Sequence, residues 1–321
     1  MLKKMSLIFV ILIVFCSSPV VGSEIDHQSK RVQFLEQVDD GIVILSAAPH
    51  VKRSGDVEYE YRQNSDYFYL TGIEIPDTRV VLRPGEPKEF VLFMPERNRR
   101  QMIYEGAIPD LGEAQQMFQA DTVYPASEFE TKVQQWMGPA TRLYHHFSGD
   151  PSVESLIDGF ISNSAIDTVI NAGSIIQAMR LIKSPDEIEM IRQAVSITAN
   201  AHREMMRVTR PDLFEYEVEA AIEYVFKQSG SPYPGFPSIV ASGPNATTLH
   251  YIESSRQMLR NELLLVDIGA EYNLYSGDLT RTVPVNGKFS KDQTALYNIV
   301  LEALNKTTDR KSTRLNSSHY S

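Results

Sequence analysis

A single cysteine occurs in 321 residues, Cys16, and it falls within the first 22. Any form of the chain without that segment has no thiol and no disulfide, so its stability must come from apolar burial. A chain of this length can supply that for two domains. Basic charge is also short: 31 Lys and Arg stand against 41 Asp and Glu, a formal net charge of −10. That balance argues against nucleic acid as a partner, because binding it needs a basic face. No internal repeat is visible. At 42% hydrophobic and 22% charged, the composition is ordinary for a globular protein and fits neither a fibrous nor a disordered class.

The one long apolar run, Leu7 to Phe15, follows Lys3-Lys4 and precedes a small-residue exit at Val20-Val21-Gly22. These are the three parts of a secretory signal, and the run is short for a membrane span. Loss of residues 1–22 would carry the formal charge from −10 to −12, because Lys3 and Lys4 are its only charges. The expectation is a secreted or periplasmic protein, free of the membrane once the signal is cleaved; an uncleaved anchor is the alternative. Residues 309–321 lack apolar periodicity, read as a non-native tail and are left out of fold reasoning.

Between these ends, strands alternate with helices up to about residue 170, which predicts an α/β domain over residues 23–173. Residues 29–38 read as a short amphipathic helix, residues 41–46 as a buried strand, and residues 79–83 and 89–94 as strands flanking a turn at Pro84-Gly85-Glu86-Pro87. Residues 142–146 give another strand, and residues 126–137 and 153–161 show helical periodicity. A second unit, residues 174–308, opens on Ser184-Pro185-Asp186-Glu187. That run combines an N-cap, a proline at the first helical position and a glutamate reaching back, and it predicts a helix to about Val208. Residues 214–228 form the next helix. A rigid aromatic loop, Ser231-Pro232-Tyr233-Pro234-Gly235-Phe236-Pro237, and a strand at 238–242 follow. A second capping box at Ser290 starts a helix through about Lys306.

Asp267 and Asp278 stand in adjoining segments that both read as strand, Leu263-Leu264-Leu265-Val266-Asp267-Ile268-Gly269 and Ser276-Gly277-Asp278-Leu279-Thr280-Arg281-Thr282-Val283. A turn centred on Tyr272-Asn273 sets the two acids directly opposite, with Cβ atoms about 4.5–5.5 Å apart. Like charges that close repel, and a divalent cation between them lets both stay ionised. A bulge would instead shift the register and leave both acids facing solvent, and spacing alone leaves the two readings open. In this register Arg281 projects to the other face as a supporting charge. His145 and His146 alternate across a strand, so they cannot share a metal, and a surface role is expected for both. His202 lies inside the long helix, where a packing role is expected.

Two sets of motifs carry a resemblance. Tyr61-Arg62-Gln63-Asn64-Ser65-Asp66-Tyr67-Phe68-Tyr69-Leu70-Thr71-Gly72 resembles the signature of the aminopeptidase P N-terminal domain. Lys183-Ser184-Pro185-Asp186-Glu187-Ile188, Leu249-His250-Tyr251, Leu265-Val266-Asp267-Ile268-Gly269-Ala270-Glu271-Tyr272 and Gly277-Asp278-Leu279-Thr280-Arg281-Thr282-Val283-Pro284-Val285-Asn286-Gly287 resemble the opening half of that family's pita-bread catalytic domain. The resemblance, over roughly residues 25–308, implies an α/β N-terminal domain followed by the first half of an α+β pita-bread catalytic domain.

It further implies a proline-specific metalloprotease, an aminopeptidase that releases the N-terminal residue from peptides with proline in second position. The implied cofactor is two divalent metal ions, manganese with zinc or cobalt as alternatives, and the implied assembly is a homo-oligomer at full length. Of five family ligands, Asp267 matches the aspartate that chelates one metal and Asp278 the aspartate that bridges both. A histidine and two glutamates have no counterpart, so the chain is expected to be an inactive fragment. His250 matches a histidine bordering the substrate; its other reading is a strand-end histidine bonded to backbone. Tyr233 and Phe236 either line a pocket for the substrate proline or pack in the core. The rival functions are a prolidase-type dipeptidase and a metal-free pita-bread peptide-binding module.

Overall fold

The computed structural model describes residues 25–38, 40–138, 140–146 and 151–308. The predicted signal and the predicted non-native tail lie outside the described residues. In chain order the first half contains α1 (His27–Leu35), β1 (Ile42–Ser46), a small ribbon of β2 (Lys52–Ser54) and β3 (Val57–Glu58), α2 (Ser65–Thr71), β4 (Arg79–Leu82), β5 (Phe90–Met94), α3 (Arg99–Glu105), α4 (Leu111–Met117), β6 (Thr122–Pro125), α5 (Phe129–Met137), β7 (Arg142–His145), α6 (Pro151–Ser162), β8 (Thr168–Asn171) and α7 (Ala172–Leu181).

Six of these strands form one sheet in the order β6-β5-β4-β1-β7-β8. β1 and β5 are apolar at nearly every position because helices cover both faces, so neither face can be polar. Val43, Leu45, Val80 and Leu92 pack with Phe34, Leu70 and Ile176 on one side. Ile44, Val81, Val91 and Phe93 pack with Phe129, Val133 and Ile157 on the other. The period-two alternation of side chains along each strand separates the two cores.

His145 and His146 depart from the surface role expected of them. Both are buried. The His146 ring lies 3.2 Å from Asp66 and the His145 ring 3.2 Å from Glu154, contacts to α2 and α6 respectively. A strand covered on both faces leaves no exposed side for either ring, so each takes a carboxylate partner inside. Asp66 also accepts from Arg180 on α7. Burial would raise its carboxyl, but the bonds from His146 and Arg180 prevail and hold it below its ordinary value.

The second half contains α8 (Pro185–Val208), α9 (Glu215–Gln228), β9 (Ile239–Ser242), β10 (Leu263–Ile268), β11 (Glu271–Tyr272), β12 (Tyr275–Ser276), β13 (Leu279–Pro284) and α10 (Lys291–Thr308). The predicted capping box starts α8: Glu187 Oε2 accepts from the Ser184 amide at 3.0 Å. β13, β10 and β9 form an antiparallel sheet whose inner face, Val240, Leu264, Val266 and Ile268, packs on Ile197, Ala201, Met205 and Ile222 of α8 and α9. α10 buries no residue along its length. Among the described residues no helix is long and apolar enough to cross a membrane.

Candidate metal centre

The hairpin that carries both aspartates is present, but its register differs from the expected one. Asp267 pairs with Thr280, not Asp278, and the tip pairs Tyr272 with Tyr275. The turn is therefore Asn273-Leu274, and both residues have positive φ, 47° and 63°. Two successive left-handed residues make the tight turn whose twist suits a two-residue hairpin, and Asn favours that conformation. The shift is two residues in pairing sum, so the side-chain faces are preserved. The Gly277 amide donates to Ala270 O at 2.9 Å, which carries the same register through the tip and sets Asp278 opposite Gly269. Asp278 thus lies on Asp267's face as its diagonal neighbour, at roughly 7–8 Å, and Arg281, opposite Val266, lies on the other face.

α8 supports the hairpin from beneath at four-residue intervals, the spacing that lines up one helix face. Met190 Sδ receives the Asn273 side-chain Nδ2 at 3.3 Å, and Thr198 Oγ1 accepts from the Ala270 backbone amide at 2.9 Å. A Cβ on Gly277 would stand 3.0 Å from Ala194 O, so glycine is needed for this approach. His202 Nε2 lies 2.9 Å from Leu279 O, and since a carbonyl only accepts, Nε2 carries the proton. Burial, the largest influence, pushes that imidazole below its ordinary value, which suits the packing role expected of it.

Among the described residues Asp267 Oδ1 is buried and has no hydrogen-bond partner. A buried anionic oxygen without a donor is costly unless a cation faces it. Asp278 is exposed beside it. Two carboxylates on one face are hard oxygen donors of the kind divalent cations take, and in this respect the residues fit a metal. Among the described residues no group of three or more His, Cys, Asp or Glu side chains gathers to complete a site.

The neighbouring candidates are distributed around the hairpin. The aromatic loop runs beside it: the Gly235 amide donates to Gly269 O at 2.9 Å, and Pro234 bridges to Ala270. Phe236 lies against Gly269, where an added Cβ would come within 2.8 Å of its ring. Tyr233 sits at the junction with the first half; burial raises its hydroxyl to about 12, with Glu271 and Glu74 adding to the shift. His250 lies in the turn after a 3-10 helix, Gly243–Thr247, and is exposed between exposed Leu249 and Ile252. Among the described residues no hydrogen bond engages its ring, so the backbone-bonded reading finds no partner there. Its neighbour Tyr251 is buried on Glu215, a fully buried carboxylate that also accepts from the Ser242 amide at 2.6 Å and the Arg256 amide at 3.0 Å.

Sequence reasoning missed Glu215 and assigned no role to Arg62 or Glu271. Arg62 Nη2 bonds Glu271 Oε2 at 2.8 Å across 209 residues of chain. No local periodicity reports a pair so far apart; the only available signal was that both stand in the quoted motifs.

An α/β domain leads into an antiparallel sheet with two carboxylates on one face, and family profiles identify both parts as those of a metallopeptidase. The family profile described as "Metallopeptidase family M24" matches residues 189–314, and "Aminopeptidase P, N-terminal domain" matches residues 27–144. The Xaa-Pro aminopeptidase of Escherichia coli K12 is 37% identical over 291 residues, 87% of this chain and 66% of that protein. An alanine variant of Escherichia coli aminopeptidase P superposes with a TM-score of 0.84 at 36% identity, covering 88% of this chain and 68% of that one. A zinc-substituted form of the same enzyme in complex with product gives 0.84 at 35% identity, covering 87% and 66%. The chain belongs to the aminopeptidase P family of metallopeptidases, with its N-terminal domain followed by part of the pita-bread catalytic domain. It spans about two thirds of the length of the curated relatives it matches.

Proposed function

We propose that this chain carries the N-terminal domain and the first part of the catalytic domain of a secreted or periplasmic Xaa-Pro aminopeptidase, and that Asp267 and Asp278 hold divalent cations, manganese first among them. The observation that supports this most directly is the buried, partnerless Oδ1 of Asp267 on the face it shares with Asp278, in a chain of this family. The remaining donors would come from the portion of the relatives that this chain does not span.

When bound, such cations acidify water and polarise a carbonyl. The chain's own residues then have separable tasks. Asp267 and Asp278 supply anionic oxygen on a rigid sheet. His250, exposed and unbonded, hydrogen-bonds the peptide around the scissile bond, and the Glu215 network holds the loop that presents it. Phe236 offers an aromatic face beside the hairpin, which suits a flat pyrrolidine ring, with Tyr233 behind it.

Two measurements test this reading. Manganese titration followed by electron paramagnetic resonance should show binding to the 321-residue chain that Asp267→Asn weakens. A longer product of the same gene should release the first residue from a tripeptide with proline second, whereas the 321-residue chain should not. Cleavage of dipeptides alone would replace the aminopeptidase with a prolidase, and absence of any metal binding in the longer protein would remove the enzyme reading altogether.

A further inference from the structure

The hairpin tip, residues 271–276, contains only two paired positions on each strand, too few to hold a shape unaided. It is gripped from both sides by groups of the N-terminal domain and α8. On one side the Arg62 guanidinium forks onto Glu271, Nε to Oε1 at 3.0 Å and Nη2 to Oε2 at 2.8 Å. Glu271 is 1% exposed, and its Oε2 also receives the Ser276 hydroxyl at 3.3 Å. On the other side the Tyr275 hydroxyl donates to Glu187 Oε1 at 2.9 Å, and Lys30 Nζ stands 3.3 Å from Glu187 Oε2. Between the two grips, Ile25, Phe68 and Met190 pack against Tyr272, Leu274 and Tyr275.

We propose that Arg62 is a positioning residue for the metal centre: by pinning Glu271 it fixes the tip from which the chain runs directly into Asp278, and so fixes Asp278 relative to Asp267. The proposal rests on the reading of these two aspartates as cation ligands. Asp278 lies two residues past β12 and one before β13, outside either strand. Its place is set between the Gly277–Ala270 bond and the Ile268–Leu279 pair, and the first of these lies directly against the tip. A bidentate guanidinium–carboxylate pair is suited to this, since the fork fixes orientation as well as distance. Without Arg62, Glu271 remains buried as an unpaired anion with Glu74 as a like-charged neighbour, and the tip has reason to swing out to water.

The test uses the 321-residue chain. Hydrogen–deuterium exchange is followed at amides 271–277 with metal removed by chelation, and manganese affinity is followed by electron paramagnetic resonance. In Arg62→Met, tip amides should exchange at least tenfold faster while amides 264–268 keep their protection, and manganese affinity should fall at least fivefold. Should that variant fail to fold, Arg62→Lys keeps the charge but loses the fork, and about threefold faster tip exchange with weaker manganese binding is expected. A folded variant with wild-type tip exchange, or faster exchange with unaltered manganese affinity, overturns the proposal. If the unsubstituted chain binds no manganese, the ligand reading fails and exchange alone decides the clamp.

Discussion

The Tyr251 hydroxyl donates to Glu215 Oε2 at 2.7 Å, which places the residue next to exposed His250 on a carboxylate sealed from water. Five donors from four residues, Ser242 giving both its amide and its hydroxyl, converge on Glu215, drawn from the end of β9, the 3-10 helix and the loop before β10. Between residues 248 and 262 there is little regular structure, so this carboxylate, rather than a hydrogen-bonded ladder, sets the path of the loop.

Glu215→Ala should therefore cost on the order of 3–5 kcal/mol, because several buried donors lose their acceptor together. Glu215→Gln, which keeps the shape but turns a donor toward donors, should cost less. Urea unfolding of the three proteins measures the order.

Asp267→Asn should leave the metal-free chain as stable as before or slightly more so, since it relieves a buried carboxylate oxygen that has no donor among the described residues. The same change should weaken manganese binding at least tenfold and abolish any rise of Tm on adding manganese. Thermal scans with chelator and with manganese separate the two effects.

Gly269→Ala should prevent the hairpin from closing. The added methyl would overlap the Gly277 carbonyl and lie 2.8 Å from the Phe236 ring. A loss of about 3 kcal/mol or insoluble expression is expected, and circular dichroism of the purified variant, with unfolding midpoints, checks it.

Asp66 gives a pH dependence of known sign. Its carboxyl lies lower in the folded protein than its ordinary value of 3.8, so the folded state binds its proton less readily than the unfolded chain. The stability it contributes is complete above that value and is lost as pH falls through the lower, folded one. Asp66→Asn should flatten the acid side of the stability profile between about pH 5 and 2. Denaturant midpoints across that range measure it.

α10 should make the chain self-associate. Leu296, Ile299 and Val300 are 58%, 66% and 61% exposed on a helix with no buried residue, an apolar surface of the kind that drives association. Replacing Ile299 and Val300 with Lys should lower the apparent mass in light scattering.

Most elements of the fold were legible because their signals are local. Ser184 to Glu187 starts α8 by hydrogen bonds within four residues, and the alternating apolar strands locate both faces of the first sheet. α2 was passed over because Tyr67-Phe68-Tyr69-Leu70 is a continuous bulky run with no helical alternation of apolar and polar residues. Its signals were Asn64, whose side chain caps two amides, and Gly72, which ends the helix at φ 68°. The candidate site was legible as to face but not register, since register depended on Leu274 accepting a left-handed conformation that its residue type disfavours. The Asp66 partner of His146 and the Arg62 partner of Glu271 come from elements 80 and 209 residues away, and no spacing rule reports them.

The contact between Lys30 and Glu187 bears on where a recombinant version of this protein can safely start. Glu187 serves at once as the helix-starting acceptor for Ser184, the acceptor for Tyr275 and the counter-ion for Lys30. The Asp26 amide ties the same corner to Asp186. A gene trimmed to begin beyond Lys30 would strip a cation from a carboxylate that water scarcely reaches, so an expression boundary upstream of Ile25 protects the start of α8 and the hairpin tip as well as α1.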